Sequence, residues 1–187
     1  MPIPRLDIPS TAILVIDVQE RLMPSIVDRG RVETNCTLLL QMARELDIPA
    51  MVTEQYVKGL GRTVDAVAGA MPDPSWRIEK TQFSALIDLV DERLAEWRRP
   101  FVLVAGVEAH VCVLQTVLDL QATGRQAFVV TDAVSAGQRD QITPAFERMT
   151  RAGAVLTGVV SAMYELLHDA RHPGFRACLE LAKRVER

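Results

Sequence analysis

Three residues in this 187-residue sequence have side chains and positions suited to covalent chemistry: Asp17, Lys80 and Cys112. Asp17 closes the apolar, β-branched run TAILVI at 11–16. A carboxylate directly after a buried strand can serve as an acid or a base. On position alone it is equally a turn-capping aspartate. Cys112 lies one turn into the segment after the apolar run PFVLVAGV at 100–107. A thiol at a helix N-terminus meets a partial positive charge that favours the thiolate, and free backbone N–H groups that can hold an oxyanion. The alternative is a buried structural cysteine, and Cys36 and Cys178, both inside amphipathic stretches, fit that reading. Lys80 sits in Glu79-Lys80-Thr81-Gln82-Phe83-Ser84. Lysines are usually solvated, but Trp76, Ile78 and Phe83 nearby allow burial, and a buried cation beside a thiol favours its ionised form. These placements predict a Cys112 thiol of depressed pKa and inert Cys36 and Cys178.

Other motifs carry less. Gly59-Leu60-Gly61 lacks a third glycine and does not follow the first strand, so it reads as a turn rather than a phosphate loop. The junction Asp17-Val18-Gln19-Glu20 holds no glycine, which argues against a dinucleotide fingerprint. His168 and His172 are spaced i, i+4, but Pro173 follows at once and no third ligand accompanies them, so no metal site is expected. GxSxG does not occur, which removes the serine nucleophile elbow.

The elements that must hold these residues alternate along the chain. Apolar runs at 11–16, 49–53, 100–107, 126–131 and 154–157 read as strands. Helical periodicity covers 31–46, 86–97, 111–122 and 141–151, and 163–167 and 175–185 read as closing helices. Gly124 follows the third of these as a C-cap residue. Strands apolar throughout and separated by helices imply a parallel sheet covered on both faces, a doubly wound three-layer α/β/α fold. Right-handed crossovers put every strand's carboxyl end on one edge, where ligands of such sheets bind. The residues at that edge are Asp17–Gln19, Glu54–Tyr56, Val107–Cys112 and Asp132–Ser135.

Composition sets outer limits. The length argues for one domain over 1–187. A hydrophobic fraction of 49% and a charged fraction of 24% are those of an ordinary globular chain. A net charge of −3 supplies no basic excess to displace counterions from phosphates, so no nucleic-acid partner is expected. The apolar runs are strand-sized, so no membrane span is expected. Three scattered cysteines make no disulfide framework, and residues 1–10 show no signal-peptide core; a cytoplasmic protein is expected. Apolar residues in 163–167 and 175–185, with Met71, Pro72, Pro74 and Trp76, suggest a homo-oligomer.

Asp17, Lys80 and Cys112, in that order and each at an expected junction, resemble the isochorismatase-like cysteine hydrolases. The strings that carry the resemblance are Leu14-Val15-Ile16-Asp17-Val18-Gln19, Thr53-Glu54-Gln55-Tyr56 with Lys58-Gly59-Leu60-Gly61, Glu79-Lys80-Thr81-Gln82-Phe83-Ser84, Gly106-Val107-Glu108-Ala109-His110-Val111-Cys112 and Thr131-Asp132-Ala133. The chain is most similar to the isochorismatase-domain-containing subgroup. The resemblance implies the Rossmann-like fold of that superfamily and a triad with Cys112 as nucleophile, Asp17 as base and then acid, and Lys80 as the cation holding both. It also implies a cis peptide at Val107–Glu108 and an oxyanion hole made by the backbone N–H groups of Glu108 and Cys112. Gln19, Leu22, Tyr56 and Phe83, close to the triad positions, are expected pocket walls, though each fits core or rim packing equally well.

The departures narrow the chemistry. Nicotinamidases of this superfamily carry an Asp-x-His metal motif after the second strand, and Thr53-Glu54-Gln55-Tyr56 has no histidine. No metal and no other cofactor is therefore expected. Isochorismatases proper lack the nucleophilic cysteine, so Cys112 tilts the expectation to acyl transfer on a small amide, ureide or related carbonyl substrate through a thioester. The alternatives are vinyl-ether hydrolysis and a catalytically idle oligomeric binding or scaffold protein.

Overall fold

The computed structural model describes residues 3–185. The outermost two residues at each end of the expected 1–187 domain, including the start of the stretch read for a signal peptide, lie outside the described residues. Among the described residues the strands β1 (Thr11–Ile16), β2 (Ala50–Gln55), β3 (Arg77–Lys80), β4 (Phe101–Val107), β5 (Gln126–Ser135) and β6 (Val155–Thr157) form one sheet. Its order is β3-β2-β1-β4-β5-β6, with every ladder parallel. This is the doubly wound α/β arrangement, and its strand order reverses between β1 and β4.

The helices are α1 (Arg29–Glu45), α2 (Val57–Leu60), α3 (Asp65–Ala70), α4 (Asp88–Trp97), α5 (Leu114–Ala122), α6 (Ile142–Arg151), α7 (Val159–Leu167) and α8 (Phe175–Ala182). Because side chains alternate across a strand, β1 sends Ile13 and Val15 to one face and Leu14 and Ile16 to the other. The first face packs against α1, α3, α7 and α8 through residues such as Leu39, Val67, Met163 and Leu181. The second packs against α4, α5 and α6 through Leu94, Val117 and Met149. No helix among the described residues is long and apolar enough to cross a membrane.

Several expectations need correction. β3 was not expected as a strand: Arg77-Ile78-Glu79-Lys80 is mostly charged, yet its residues alternate out and in, with Lys80 on the inward side. Residues 57–60 are helical, and Gly61, at φ 78°, ends that turn. α7 ends at Leu167, so His168 and His172 do not share a helix face. The residues expected to drive association are largely used by the chain itself. Met163, Leu166, Leu167 and Leu181 are buried, Phe175 and Val185 pack on the same core, and Met71 is buried. Trp76 stacks edge-on against Trp97, with ring centroids 5.5 Å apart, and lies under Arg93. Among the described residues the exposed large apolar side chains are instead Ile3 before β1, Tyr56, Phe83 and Leu89 near one sheet edge and Leu156, Val160 and Tyr164 near the other.

At the switch point β1 and β4 approach without room for a side chain. Gly106 has φ 109°, and a Cβ there would lie 2.1 Å from the carbonyl oxygen of Ile16. Both the left-handed backbone and the contact demand glycine. Gly106→Ala is expected to cost at least about 2 kcal/mol in urea unfolding, because neither strand can give way. A loss under about 0.5 kcal/mol, the size of an ordinary surface change, would contradict this close approach.

Candidate active site

The three residues singled out for chemistry meet at the carboxyl edge of the sheet. Asp17 follows β1 with φ 55°, a left-handed conformation that aspartate tolerates better than most residues. Its N–H donates to Thr53 O (3.1 Å), and its Oδ1 accepts from Thr53 Oγ1 (2.8 Å). Its Oδ2 accepts from Lys80 Nζ at 2.8 Å. Both side chains of this ion pair are 0% exposed. Lys80 Nζ also donates to Gln55 Oε1 (2.8 Å) and reaches the carbonyl oxygens of Gln82 and Phe83 (3.2 Å each).

Cys112 lies in a π-helical turn, Ala109–Val113, that runs directly into α5. Such turns are rare and recur at functional sites. Thr116 Oγ1 donates to the Cys112 carbonyl (2.6 Å) and accepts from Ala85 N–H (2.7 Å), which ties this helix to the loop after Lys80. The Cys112 thiol lies beside the Asp17 carboxylate and the Lys80 ammonium, whose charges push its pKa in opposite directions. The geometry therefore brings together Asp17, Lys80 and Cys112 from β1, β3 and the helix after β4.

The expected depression of the Cys112 pKa is overturned. Burial, with the thiol residue 6% exposed, and the negative charge of Asp17 push the thiol up to about 12, against an opposing pull from Lys80. The helix end favours an anion, but desolvation and a carboxylate in direct contact outweigh it. Cys36 is raised well beyond the ordinary thiol range by burial and then by Asp132 and Glu33, and burial and Glu45 push Cys178 up to about 11.

The peptide bond Val107–Glu108 is cis. The Glu108 carbonyl accepts from the N–H groups of Val111 (3.0 Å) and Val113 (3.2 Å), and its Oε2 accepts from Gly137 N–H (2.7 Å). Among the expected pocket residues, Gln19 is fully buried with its amide committed to main chain. Its Oε1 accepts from Gln55 N–H (2.7 Å), and its Nε2 donates to Gln55 O (3.0 Å) and Gly61 O (2.7 Å). Leu22 packs on the core face of α1. Tyr56 and Phe83 are each 55% exposed and stand at the rim. Tyr56 lines a cleft of about 470 Å³ with Val57, Lys58, Lys80, Gln82 and Leu89. That cleft borders Lys80 but excludes Asp17 and Cys112.

Two site residues were given no role by the sequence reading: Thr53 and Gln55. The available signal was period two along β2, which puts both on the face that β3 presents through Ile78 and Lys80. On the opposite face Glu54 is fully buried. It accepts from Thr63 N–H (2.7 Å), Thr63 Oγ1 (2.8 Å) and Arg62 Nη1 (2.8 Å), with Arg77 Nε at 3.8 Å. Among the described residues no group of three or more His, Cys, Asp or Glu side chains is arranged to hold a metal ion.

This constellation can be set beside known proteins. The isochorismatase domain family matches residues 11–160. The chain belongs to the isochorismatase-like hydrolase family. A secreted isochorismatase effector of Phytophthora sojae is 36% identical over 93% of this chain and 85% of its own length. The structure of a MAR1 ribonuclease from Caenorhabditis elegans is 36% identical, with a TM-score of 0.92 over 95% of this chain and 92% of that one. Two YcaC structures are also similar. That from Escherichia coli, an octameric hydrolase of unknown specificity, has a TM-score of 0.89 at 26% identity over 98% of this chain and 92% of that one. That from Pseudomonas aeruginosa, with covalent acrylamide, has a TM-score of 0.88 at 27% identity over 97% and 93%.

The buried Glu54 makes a prediction of its own. Burial would raise its pKa, but the Thr63 N–H, the Arg62 guanidinium, the Thr63 hydroxyl and the Arg77 charge together hold it below its ordinary value of 4.5. A carboxylate depressed in the folded state adds stability that is present above the unfolded pKa and lost as pH falls through the folded one. Glu54→Gln is expected to lose about 1–2 kcal/mol near neutral pH, with the gap to the parent closing below about pH 4. Urea unfolding across that range measures it, and a gap that widens on acidification would contradict it.

Proposed function

We propose that the protein hydrolyses a small amide, ureide or related carbonyl compound through a thioester on Cys112. One observation carries the reading: a nearly covered thiol beside a buried carboxylate that a buried ammonium holds at 2.8 Å. A raised thiol pKa means that the resting sulfur keeps its proton, so attack requires a base in contact. Asp17 is that base. The S–H proton moves to Asp17 as the Cys112 sulfur bonds to the substrate carbonyl carbon. The backbone N–H groups of Glu108 and Cys112 receive the oxyanion; losing one such donor typically costs about 10²–10³ in rate. Asp17–H then gives its proton to the departing nitrogen as the C–N bond breaks. Water attacks the thioester, passing a proton to Asp17, which returns it to the sulfur as the acid leaves.

The covalent acrylamide in the Pseudomonas YcaC structure supports the reading, since acrylamide is an electrophile that thiols attack. Gln19, Leu22, Tyr56 and Phe83 are proposed to shape the entrance, with Gln19 acting through the main chain it holds. No metal or other cofactor takes part in the proposed steps. Association into a homo-oligomer accompanies the activity; the octameric E. coli relative and the exposed Tyr56, Phe83 and Leu89 support it. A cytoplasmic location fits the three free cysteines, although the Phytophthora relative is secreted. The C. elegans relative is a ribonuclease, but here a net charge of −3 and a nearly covered thiol disfavour a polynucleotide at this site.

A panel of amides, ureides and vinyl ethers is the direct test. Turnover is expected on a carbonyl member of the panel. Cys112→Ala should abolish it, and Asp17→Asn and Lys80→Ala should each lower it roughly 10³-fold or more. Double variants should be little worse than singles, because the residues act as one unit. Vinyl-ether turnover that survives Cys112→Ala would favour acid catalysis by Asp17 instead, and no turnover on any member would favour the binding protein.

A further inference from the structure

The Lys80 ammonium is fully buried and has three protons to place among four oxygen acceptors, those of Asp17, Gln55, Gln82 and Phe83. Only Asp17 is anionic. In the proposed reaction Asp17 is neutralised each time it carries a proton, and an uncompensated buried cation is costly at that moment. The acceptors that remain are uncharged, and Gln55 Oε1 is the shortest of them, at 2.8 Å against 3.2 Å for the two carbonyls.

Gln55 is held in place on every side. Its Nε2 donates to Thr81 O (2.8 Å), which fixes the oxygen end of the amide toward Lys80. Its own N–H and carbonyl are bracketed by the buried Gln19 at 2.7 and 3.0 Å, and it pairs with Lys80 in the β2–β3 register. We propose that Gln55 is a positioning residue for Lys80: its side-chain oxygen is the uncharged acceptor that keeps the ammonium beside Asp17 and Cys112 while Asp17 carries the proton. This rests on the acyl-transfer reading above. A neutral acceptor suits the role, because a carboxylate there would set a second anion beside the thiol and oppose its ionisation. The charged and titratable groups nearest Lys80 are Asp17 from β1 and Cys112 from the helix after β4, and Tyr56, Lys58, Glu79 and Asp88 line the cleft that borders it. Glu54, Glu79, Arg62 and Arg77 pair with one another on the other face of β2 and β3.

The test uses acrylamide as the probe, with its second-order rate of addition to Cys112 followed by mass spectrometry from about pH 6 to pH 10 and Cys112→Ala as the blank. The parent rate should rise with pH. Gln55→Glu, nearly isosteric, should move that rise up by about one pH unit, a loss of roughly tenfold on the rising limb. Gln55→Met, which removes the acceptor, should slow addition several-fold. Melting temperatures are read in parallel, and if Gln55→Met does not fold, Gln55→Glu alone decides. Variants that melt lower but keep the parent's rate and pH dependence would make Gln55 a strand tie and overturn the inference, leaving the acyl-transfer reading intact. A parent Cys112 that takes up no acrylamide at any pH would overturn both.

Discussion

A buried ion pair governs this site. Lys80 and Asp17 meet at 2.8 Å with neither side chain exposed, in a sheet edge that is otherwise apolar on the side of α4 and α5. Removing either partner would strand the other charge in a poorly solvated interior, at about 3–5 kcal/mol. The surroundings are built around that constraint. Thr53 donates to Asp17 Oδ1, Gln55 and two carbonyls take up the remaining ammonium contacts, and Thr116 locks the Cys112 turn to the loop carrying those carbonyls. Burial and the adjacent carboxylate push the Cys112 thiol up, so the resting sulfur holds its proton.

The fold delivers the three residues because the parallel sheet ends all its strands on one side. Asp17 and Cys112 flank the switch point between β1 and β4, where the crossover helices leave in opposite directions and a crevice opens. Gly106 lets the two strands come close enough there for the thiol to meet the carboxylate. Lys80 arrives from two strands further out, at the sheet edge, and reaches inward across Gln55. The candidate site is thus held from three separate segments, Lys80 in a paired strand, Asp17 directly after one, and Cys112 in a helical turn that Thr116 ties to the loop after Lys80.

Much of this was legible in the sequence, for physical reasons that also mark where legibility ends. Buried parallel strands read as continuous apolar runs, so β1, β2, β4, β5 and β6 stood out, and Asp17 and Cys112 followed from their ends. β3 did not stand out, because an edge strand whose inward residues are Ile78 and Lys80 shows a charged face and no apolar run. The roles of Thr53 and Gln55 were hidden for the same reason: their partner strand was unseen. The direction of the Cys112 shift was misread because a helix terminus is visible in a sequence, whereas burial and the contact with Asp17 are properties of the packed chain. The apolar residues of 163–167 and 175–185 pointed to an interface, but only packing shows that α1 and the sheet cover them.

The proposed role of Asp17 as base depends on a protonated resting sulfur. The most direct measurement is the ultraviolet absorbance of the thiolate, taken as the difference between the parent and Cys112→Ala during a pH titration. No Cys112 thiolate is expected at pH 7, with absorbance growing only in the strongly alkaline range. A full thiolate difference signal already present at pH 7 would contradict it, because Cys112 would then rest ionised against Lys80 and Asp17 would have no proton to accept.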